Sequence, residues 1–129
     1  MPLLNPSIET LSGFGSFTRV LTCGKAYERK PIKAFVYSSF SNKTGLRIGF
    51  AVTRRIQKAA HRNLLKRLMR EAFRIKREDF LRHINSGRLI EIVFLYNGDI
   101  KIQPKMVRFA SISKAMADLS SAINIISLV

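Results

Sequence analysis

The run RIGFAVT at residues 47–53, followed by AAHRNLLKRLMREAFRIKR at residues 59–77, carries the clearest structural signal in this 129-residue chain. The first segment is rich in β-branched and aromatic residues, which predicts a strand. The second segment repeats apolar residues every three or four positions, which predicts a long helix. A strand that leads into a long amphipathic helix is typical of a domain that mixes α and β structure.

The predicted helix at residues 59–77 has an apolar side and a basic side when it is projected at about 100° per residue. The apolar side gathers Leu64, Leu65, Leu68, Ala72 and Ile75. The basic side gathers Arg62, Asn63, Lys66, Arg67, Arg70, Arg74 and Arg77. Glu71 is the only acid between residues 54 and 77, and Arg67 and Arg74 lie one turn away on either side of it. We therefore expect Glu71 to form a local salt bridge.

The flanking segments predict one domain that spans residues 1–129. Residues 1–10, which contain Pro2 and Pro6 and little periodicity, are expected to form a loosely held arm. The remaining predictions are a helix at residues 14–24, strands at residues 32–40 and 89–96, a turn at residues 41–45 and a final helix at residues 113–126. The final helix should turn Ala115, Met116, Leu119, Ile123 and Ile126 inward. The predicted order is α, β, β, basic α, β, α, with room for a third strand before the basic helix.

The charge of the chain indicates a polyanionic partner. Lysine and arginine number 23 against 8 acids, which gives a formal net charge of +15, while 47% of the residues are hydrophobic. The chain therefore carries its charge on a foldable core, and nucleic acid is the commonest partner for such a protein. The absence of 18 consecutive apolar residues and of a signal peptide argues against a membrane and predicts a cytoplasmic protein.

The sequence offers little for catalysis by the protein itself. Cys23 is the only cysteine, so no intrachain disulfide can form. His61 and His83 have no cysteine or carboxylate cluster at metal-ligand spacing, so we expect no metal site in the protein. The eight acids do not suggest a two-metal nuclease site. We therefore expect no catalytic residue in the protein.

Arginine and lysine side chains spaced by one helical turn can each reach a different phosphate, so the basic side predicts binding to nucleic acid. The alternative is a charged face that is merely solvated, but such faces usually interleave glutamate with lysine. A reader of DNA is disfavoured because the chain shows no helix-turn-helix pair, zinc ligands or basic-zipper heptads.

Residues 47–55 (RIGFAVTRR) and 59–71 (AAHRNLLKRLMRE) resemble the signature of the ribonuclease P protein family, in which a glycine-containing strand leads into a helix with an Arg-Asn-Arg core. The residues that match this pattern are Arg62, Asn63, Lys66, Arg67 and Arg70. Leu64 stands where the family typically has the second arginine of the core. Residues 96–99 (YNGD) also depart, because the family often has an arginine there.

The resemblance implies an α+β two-layer sandwich, like domain 2 of ribosomal protein S5. In this fold the basic helix forms a left-handed βαβ crossover between parallel strands, against the usual right-handed rule. The residues expected to bind the catalytic RNA are Arg54, Arg55, Lys58, Arg62, Asn63, Lys66, Arg67, Arg70 and Arg74. The residues expected to bind the 5′ leader of precursor tRNA are Phe17, Lys33, Phe35 and Tyr37. Strand alternation independently puts Lys33, Phe35 and Tyr37 on one face, although Phe17 and Phe35 could equally be core residues.

The implied partners are ribonuclease P RNA and precursor tRNA, with one protein per RNA. The resemblance implies that the RNA subunit holds Mg²⁺ and performs the hydrolysis, while the protein raises substrate affinity and screens repulsion between two polyanions. A ribosomal protein or RNA assembly factor would share the charge and the small size, and it is the main alternative. A nuclease that acts without RNA is a second alternative.

Overall fold

The computed structural model describes residues 7–40, 45–82, 88–101 and 109–127 of the chain. Its elements, in chain order, are β1 (Ser7–Thr10), α1 (Phe14–Cys23), β2 (Lys25–Arg29), β3 (Ile32–Phe40), β4 (Gly45–Val52), α2 (Ala59–Leu81), β5 (Arg88–Tyr96) and α3 (Phe109–Ser127). The predicted α+β class is confirmed. The basic helix α2 continues four residues beyond its predicted end at residue 77, and α3 begins four residues before its predicted start at residue 113.

The strands form one mixed sheet in the order β1-β4-β5-β3-β2. β4 is parallel to both of its neighbours, β1 and β5, whereas β3 is antiparallel to β5 and β2. Since α2 connects the end of β4 to the start of its parallel neighbour β5, it must run back along the whole length of the sheet. Its 23 residues span about 35 Å, which is enough for that return. The left-handed sense of this crossover stays a prediction.

The N-terminal segment differs from its prediction as a loose arm. Residues 7–10 form β1, which pairs in register from Ser7 opposite Gly45 to Thr10 opposite Ile48. The backbone N–H of Leu11 then donates to the carbonyl of Ile48 at 2.9 Å, and the Leu11 side chain is buried. A four-residue edge strand is too short to show periodicity, so only its partner strand reveals it. Residues 1–6 of the predicted arm and residues 41–44 of the predicted turn lie outside the described residues.

The additional strand for which the predicted order left room is β2, whose five residues show no hydrophobic pattern. It pairs antiparallel with β3, from Lys25 opposite Val36 to Arg29 opposite Ile32. Only Tyr27 among its five residues is half-buried, and the other four are exposed. Because an edge strand with little burial has little apolar alternation, hydrophobic patterning does not identify it.

Successive residues of β5 point to the two faces of the sheet, which we name from their contents. The core face carries Ile90, Ile92 and Phe94, and it is covered by α2 and α3. The α1 face carries Glu91 and Val93, and it is partly covered by α1. The predicted inner residues Ala115, Met116, Leu119 and Ile123 of α3 are all buried on the core face, while the side chain of Ile126 lies outside the description.

The apolar side of α2 is rotated from the one predicted. Its buried residues are Leu65, Met69, Ala72, Phe73 and Phe80. Leu64 and Leu68 are half-buried, and Ile75 is 52% exposed, so the prediction that Ile75 belongs to the same side as the buried residues was wrong. The prediction ended the helix at residue 77, so it lacked Phe80, which defines the buried stripe at the C-terminal end.

Candidate nucleic-acid interface

The turn between β4 and α2 is ordered by one arginine of the predicted basic surface. Ile56 is buried and anchors the turn to the core. The Nη1 atom of Arg62 donates to the carbonyl oxygens of Ile56 at 2.6 Å and Gln57 at 2.8 Å. Arg62 is therefore half-buried, and part of its hydrogen-bonding capacity fixes the start of α2. This contact distinguishes it from the exposed arginines of the same helix.

Most of the residues predicted to bind the RNA subunit form an exposed surface, which we call the basic surface. The exposed members are Arg54, Arg55, Lys58, Asn63, Arg67, Arg70 and Arg74, while Arg62 and Lys66 are half-buried. The first turn of α2 contains no acid, and no side chain caps the helix at its N-cap residue Lys58. The positive end of the helix dipole therefore adds to the charges of Arg54, Arg55 and Lys58.

Charge compensation on α2 is concentrated toward its C-terminal half. The predicted salt bridge of Glu71 is confirmed, with Arg74 as its partner and Nε lying 3.2 Å from Oε2. The hydrogen bond from Arg74 holds the pKa of Glu71 below its usual value, and it raises the pKa of Arg74. Asp79 lies 3.1 Å from Arg82 and 3.9 Å from Lys76. The N-terminal half of α2 has no acid, so its basic groups are the ones best placed for phosphates.

The four residues predicted to bind the leader meet on the α1 face, and we call them the aromatic surface. Phe17, Phe35 and Tyr37 are half-buried and pack around a small buried cluster of Leu11, Val20 and Val93. Lys33 places its Nζ 5.4 Å from the centre of the Phe35 ring. The rings are thus neither free in solvent nor enclosed, and each keeps surface that a base could cover.

The α1 face holds a buried carboxylate that was not predicted from the sequence. Glu91 is 1% exposed, and Nη2 of Arg19 donates to both of its oxygens at 2.7 Å. Arg47 lies 3.8 Å from Glu91 and 3.4 Å from Glu9. Arg19 also lies over the Tyr37 ring at 5.8 Å, so this ion-pair cluster borders the aromatic surface. A single acid inside the apolar run of residues 89–96 was the available signal, because a buried charge requires a partner.

The glycine of the strand motif supports the first helix. A Cβ atom added at Gly49 would lie 2.5 Å from Cζ of Phe17, which is closer than such atoms approach. The ring of Phe17 therefore rests directly on the backbone of β4. This contact couples the strand motif at residues 47–53 to the placement of α1, because a side chain at residue 49 would displace the Phe17 ring.

A cavity of about 340 Å³ lies between the aromatic surface and the basic surface. Its lining includes Leu11, Phe17 and Gly49 from one side and Phe50 and Arg70 from the other. The guanidinium of Arg70 lies 5.8 Å from the centre of the Phe50 ring. Because β1 pairs only with residues 45–48 of β4, it stops short of this position and leaves the edge of the sheet open. The cavity thus joins the two predicted RNA-binding surfaces.

Residues 96–99, which depart from the family pattern, hold a loop against the turn between β2 and β3. The backbone N–H of Asn97 donates to the carbonyl of Pro31 at 2.8 Å, and its side chain donates to Glu28 at 2.7 Å. A Cβ atom at Gly98 would lie 2.4 Å from the hydroxyl of Tyr96. In this chain the loop therefore has packing contacts in place of an added cation.

All eight acids lie within the described residues, but they are dispersed. The acids in ion pairs with basic side chains are Glu9, Glu71, Glu78, Asp79 and Glu91. Among the described residues, no three His, Cys, Asp or Glu side chains are grouped so that they could hold a metal ion. No described helix is long and apolar enough to span a membrane.

Comparison with known sequences points to one family. Residues 6–121 match the family profile described as Ribonuclease P. The "Ribonuclease P protein component" of Finegoldia magna is 40% identical over 57 residues, which cover 44% of this chain and 48% of that protein. The protein of the same name from Natranaerobius thermophilus is 34% identical over 74 residues, which cover 57% and 63%. The chain thus spans roughly half to three fifths of the length of these curated relatives.

Solved structures share the fold over most of the chain. The ribonuclease P protein from Thermotoga maritima superimposes with a TM-score of 0.64 at 23% identity and covers 82% of this chain and 89% of its own. The protein from Staphylococcus aureus superimposes with a TM-score of 0.62 at 16% identity, covering 88% and 94%. At these identities the likeness concerns the fold alone.

Proposed function

This chain belongs to the ribonuclease P protein family, and from that premise we propose that it is the protein subunit of ribonuclease P. It binds the catalytic RNA subunit through the basic surface and the 5′ leader of precursor tRNA through the aromatic surface. By doing so it assists endonucleolytic removal of the leader, which yields the mature 5′ end of the tRNA. The proposed site of action is the cytoplasm, and the proposed stoichiometry is one protein per RNA.

The observation that carries this proposal is the adjacency of two chemically different surfaces. The basic surface begins just after the C-terminal end of β4, with Arg54, Arg55 and Lys58. At the same end of the sheet, Lys33 of the aromatic surface pairs with Leu95 of β5, which pairs with Ala51 of β4. One surface offers exposed cations for phosphates, and the other offers half-exposed rings for unpaired bases. A single-stranded leader and a folded RNA could therefore meet the protein side by side.

The protein contributes positioning and charge in this proposal. Its net charge of +15 offsets the repulsion between the RNA subunit and the precursor. Phe17, Phe35 and Tyr37 stack on leader bases, while Lys33 neutralises a neighbouring phosphate. The dispersed carboxylates described above do not converge on one point, so we assign the Mg²⁺ ions that support phosphodiester hydrolysis to the RNA subunit.

Reconstitution tests the function directly. Purified protein alone should leave precursor tRNA intact, and addition of a bacterial ribonuclease P RNA with Mg²⁺ should give cleavage at the mature 5′ end at a lower RNA concentration than without protein. Nuclease treatment of the protein controls for copurified RNA. Correct cleavage by RNA-free protein would overturn the proposal, as would a failure to bind or assist the RNA, which would favour a ribosomal protein or an assembly factor.

A further inference from the structure

A third pairing of an aromatic ring with an arginine lies at the C-terminal end of β3, on the other face of the sheet from the aromatic surface. Phe40 ends β3 and is 83% exposed, more than the other exposed large hydrophobic residues of the described chain. The guanidinium of Arg88, its partner across the ladder, lies 4.4 Å from the centre of the ring. We call this pair the distal platform.

The distal platform is held in place before any partner binds. Nη1 of Arg88 donates to the hydroxyl of Ser38 at 3.0 Å, which fixes the guanidinium over the ring. A single exposed phenylalanine would need no explanation. A ring that carries an ordered guanidinium and is otherwise open to solvent is a surface on which an unpaired base can stack, because bases stack on both aromatic rings and arginine planes.

The distal platform lies on the face of the sheet that carries α2 and α3. Phe40 and Arg88 lie on the core face, because they alternate in register with Ala34 and with Ile90 and Ile92. On this face α2 packs against β4, and α3 packs against β3, the strand that carries Phe40. The leader-binding residues lie on the other face, and along β3 Tyr37 is three residues (about 10 Å) and Lys33 seven residues (about 23 Å) from Phe40.

We propose that the distal platform stacks on an unpaired base of the RNA subunit, as a contact separate from the basic surface and from the leader site. This inference rests on the proposed function. The net charge of +15 opposes a second copy of the chain as occupant and favours a polyanion. Because the residues assigned to the 5′ leader lie on the other face of the sheet, we assign this base to the RNA subunit.

The test measures binding of the full-length protein to a bacterial ribonuclease P RNA as a function of salt. Phe40→Ala and Phe40→Leu should each weaken binding about fivefold or more, while Phe40→Tyr should stay within about twofold of the wild type. The slope of log affinity against log salt should not change, since stacking releases no counterions. Chemical probing should show an unpaired nucleotide that is protected by the wild type and by Phe40→Tyr and exposed with Phe40→Ala.

The matched control is Leu21→Ala, which removes another exposed apolar side chain from a different face and should leave binding unchanged. Precursor and mature tRNA should lose affinity equally for the holoenzyme carrying Phe40→Ala. Wild-type affinity in Phe40→Ala or full retention in Phe40→Leu would overturn the inference while leaving the proposed function intact. A loss confined to the precursor, or a change in the protein's oligomeric state, would also overturn it. Failure of the wild type to bind the RNA would overturn both proposals.

Discussion

The two faces of the sheet are built from similar residue types but packed to different degrees. On the core face, Phe50, Phe73, Phe80 and Phe94 contact one another with ring centres 5.2–6.3 Å apart, beneath two long helices. On the α1 face, one short helix covers only part of the sheet, and the rings there remain half-buried. The difference shows that enclosure by helices, and not aromatic content, determines which rings are buried and which stay half-exposed.

The greatest loss of stability is expected from a substitution on the core face. Phe94 is fully buried and contacts three other rings, so Phe94→Ala should lower the free energy of unfolding by about 3–5 kcal/mol. Phe35→Ala, which removes the same atoms from the α1 face, should cost clearly less. Urea denaturation of both variants measures the difference. Equal losses would remove the distinction between the faces.

A smaller effect is expected from the buried ion pair that holds α1 to the sheet. Glu91→Gln keeps the shape of the side chain but removes the charge that Arg19 and Arg47 share. Because both arginines are partly exposed and can be hydrated, the loss of stability should be about 1–3 kcal/mol. Denaturation curves measure the free energy of unfolding of Glu91→Gln and of the exposed control Glu78→Gln. If Glu91→Gln leaves this free energy unchanged, α1 is held to the sheet by packing alone.

Ligand binding at the aromatic surface should respond to Phe35→Ala. Stacking predicts a loss of about 1–3 kcal/mol in binding of precursor tRNA to the reconstituted holoenzyme. Mature tRNA lacks the leader, so its affinity should barely change. Phe35 is a cleaner probe than Phe17, because the Phe17 ring also rests on Gly49. Equal losses for both RNAs, together with a lowered melting temperature, would assign Phe35 to the core and leave the leader site unassigned.

Substitutions on the basic surface should affect RNA binding alone at exposed arginines, but both binding and stability at Arg62, which orders the turn. Arg67→Ala and Arg70→Ala should each reduce the slope of log affinity against log salt by about one unit, with unchanged stability. Arg62→Ala should in addition lower stability by about 1 kcal/mol, because it loses hydrogen bonds to Ile56 and Gln57. Titrations of the RNA subunit at several salt concentrations, with thermal melts, measure both quantities. An unchanged slope for Arg67→Ala and Arg70→Ala would contradict the phosphate assignment.

The smallest effect concerns the acid within the basic helix. Glu71→Gln releases Arg74 and removes a negative charge near the RNA, so binding should tighten by about twofold at neutral pH. Since the hydrogen bond from Arg74 lowers the pKa of Glu71 in the folded protein, the wild-type pair persists above that lowered pKa and is lost as pH falls through it. The difference in RNA affinity between Glu71→Gln and the wild type should therefore vanish as pH falls through the lowered pKa of Glu71. Weaker binding by Glu71→Gln would show that the pair orients Arg74 for the RNA.

Strongly periodic segments were predictable, and segments defined by their partners were not. Residues 59–77 predicted α2 because each turn repeats the same division of apolar and basic residues. β1 and β2 are edge strands of four and five residues. They are stabilised mainly by pairing with β4 and β3, so their own residues carry little pattern. The misassignment of Ile75 had a related cause, since the buried stripe of α2 is set by what it packs against.

Local periodicity was sufficient to predict the basic surface and the alternation that puts Lys33, Phe35 and Tyr37 on one face. Tertiary structure alone decided that Arg62 orders the turn before α2, that Glu91 holds Arg19 and Arg47, and that Gly49 supports Phe17. It also decided which rings are enclosed and which stay half-exposed. These contacts join residues distant in sequence, and their partners are fixed only when the sheet and helices pack together.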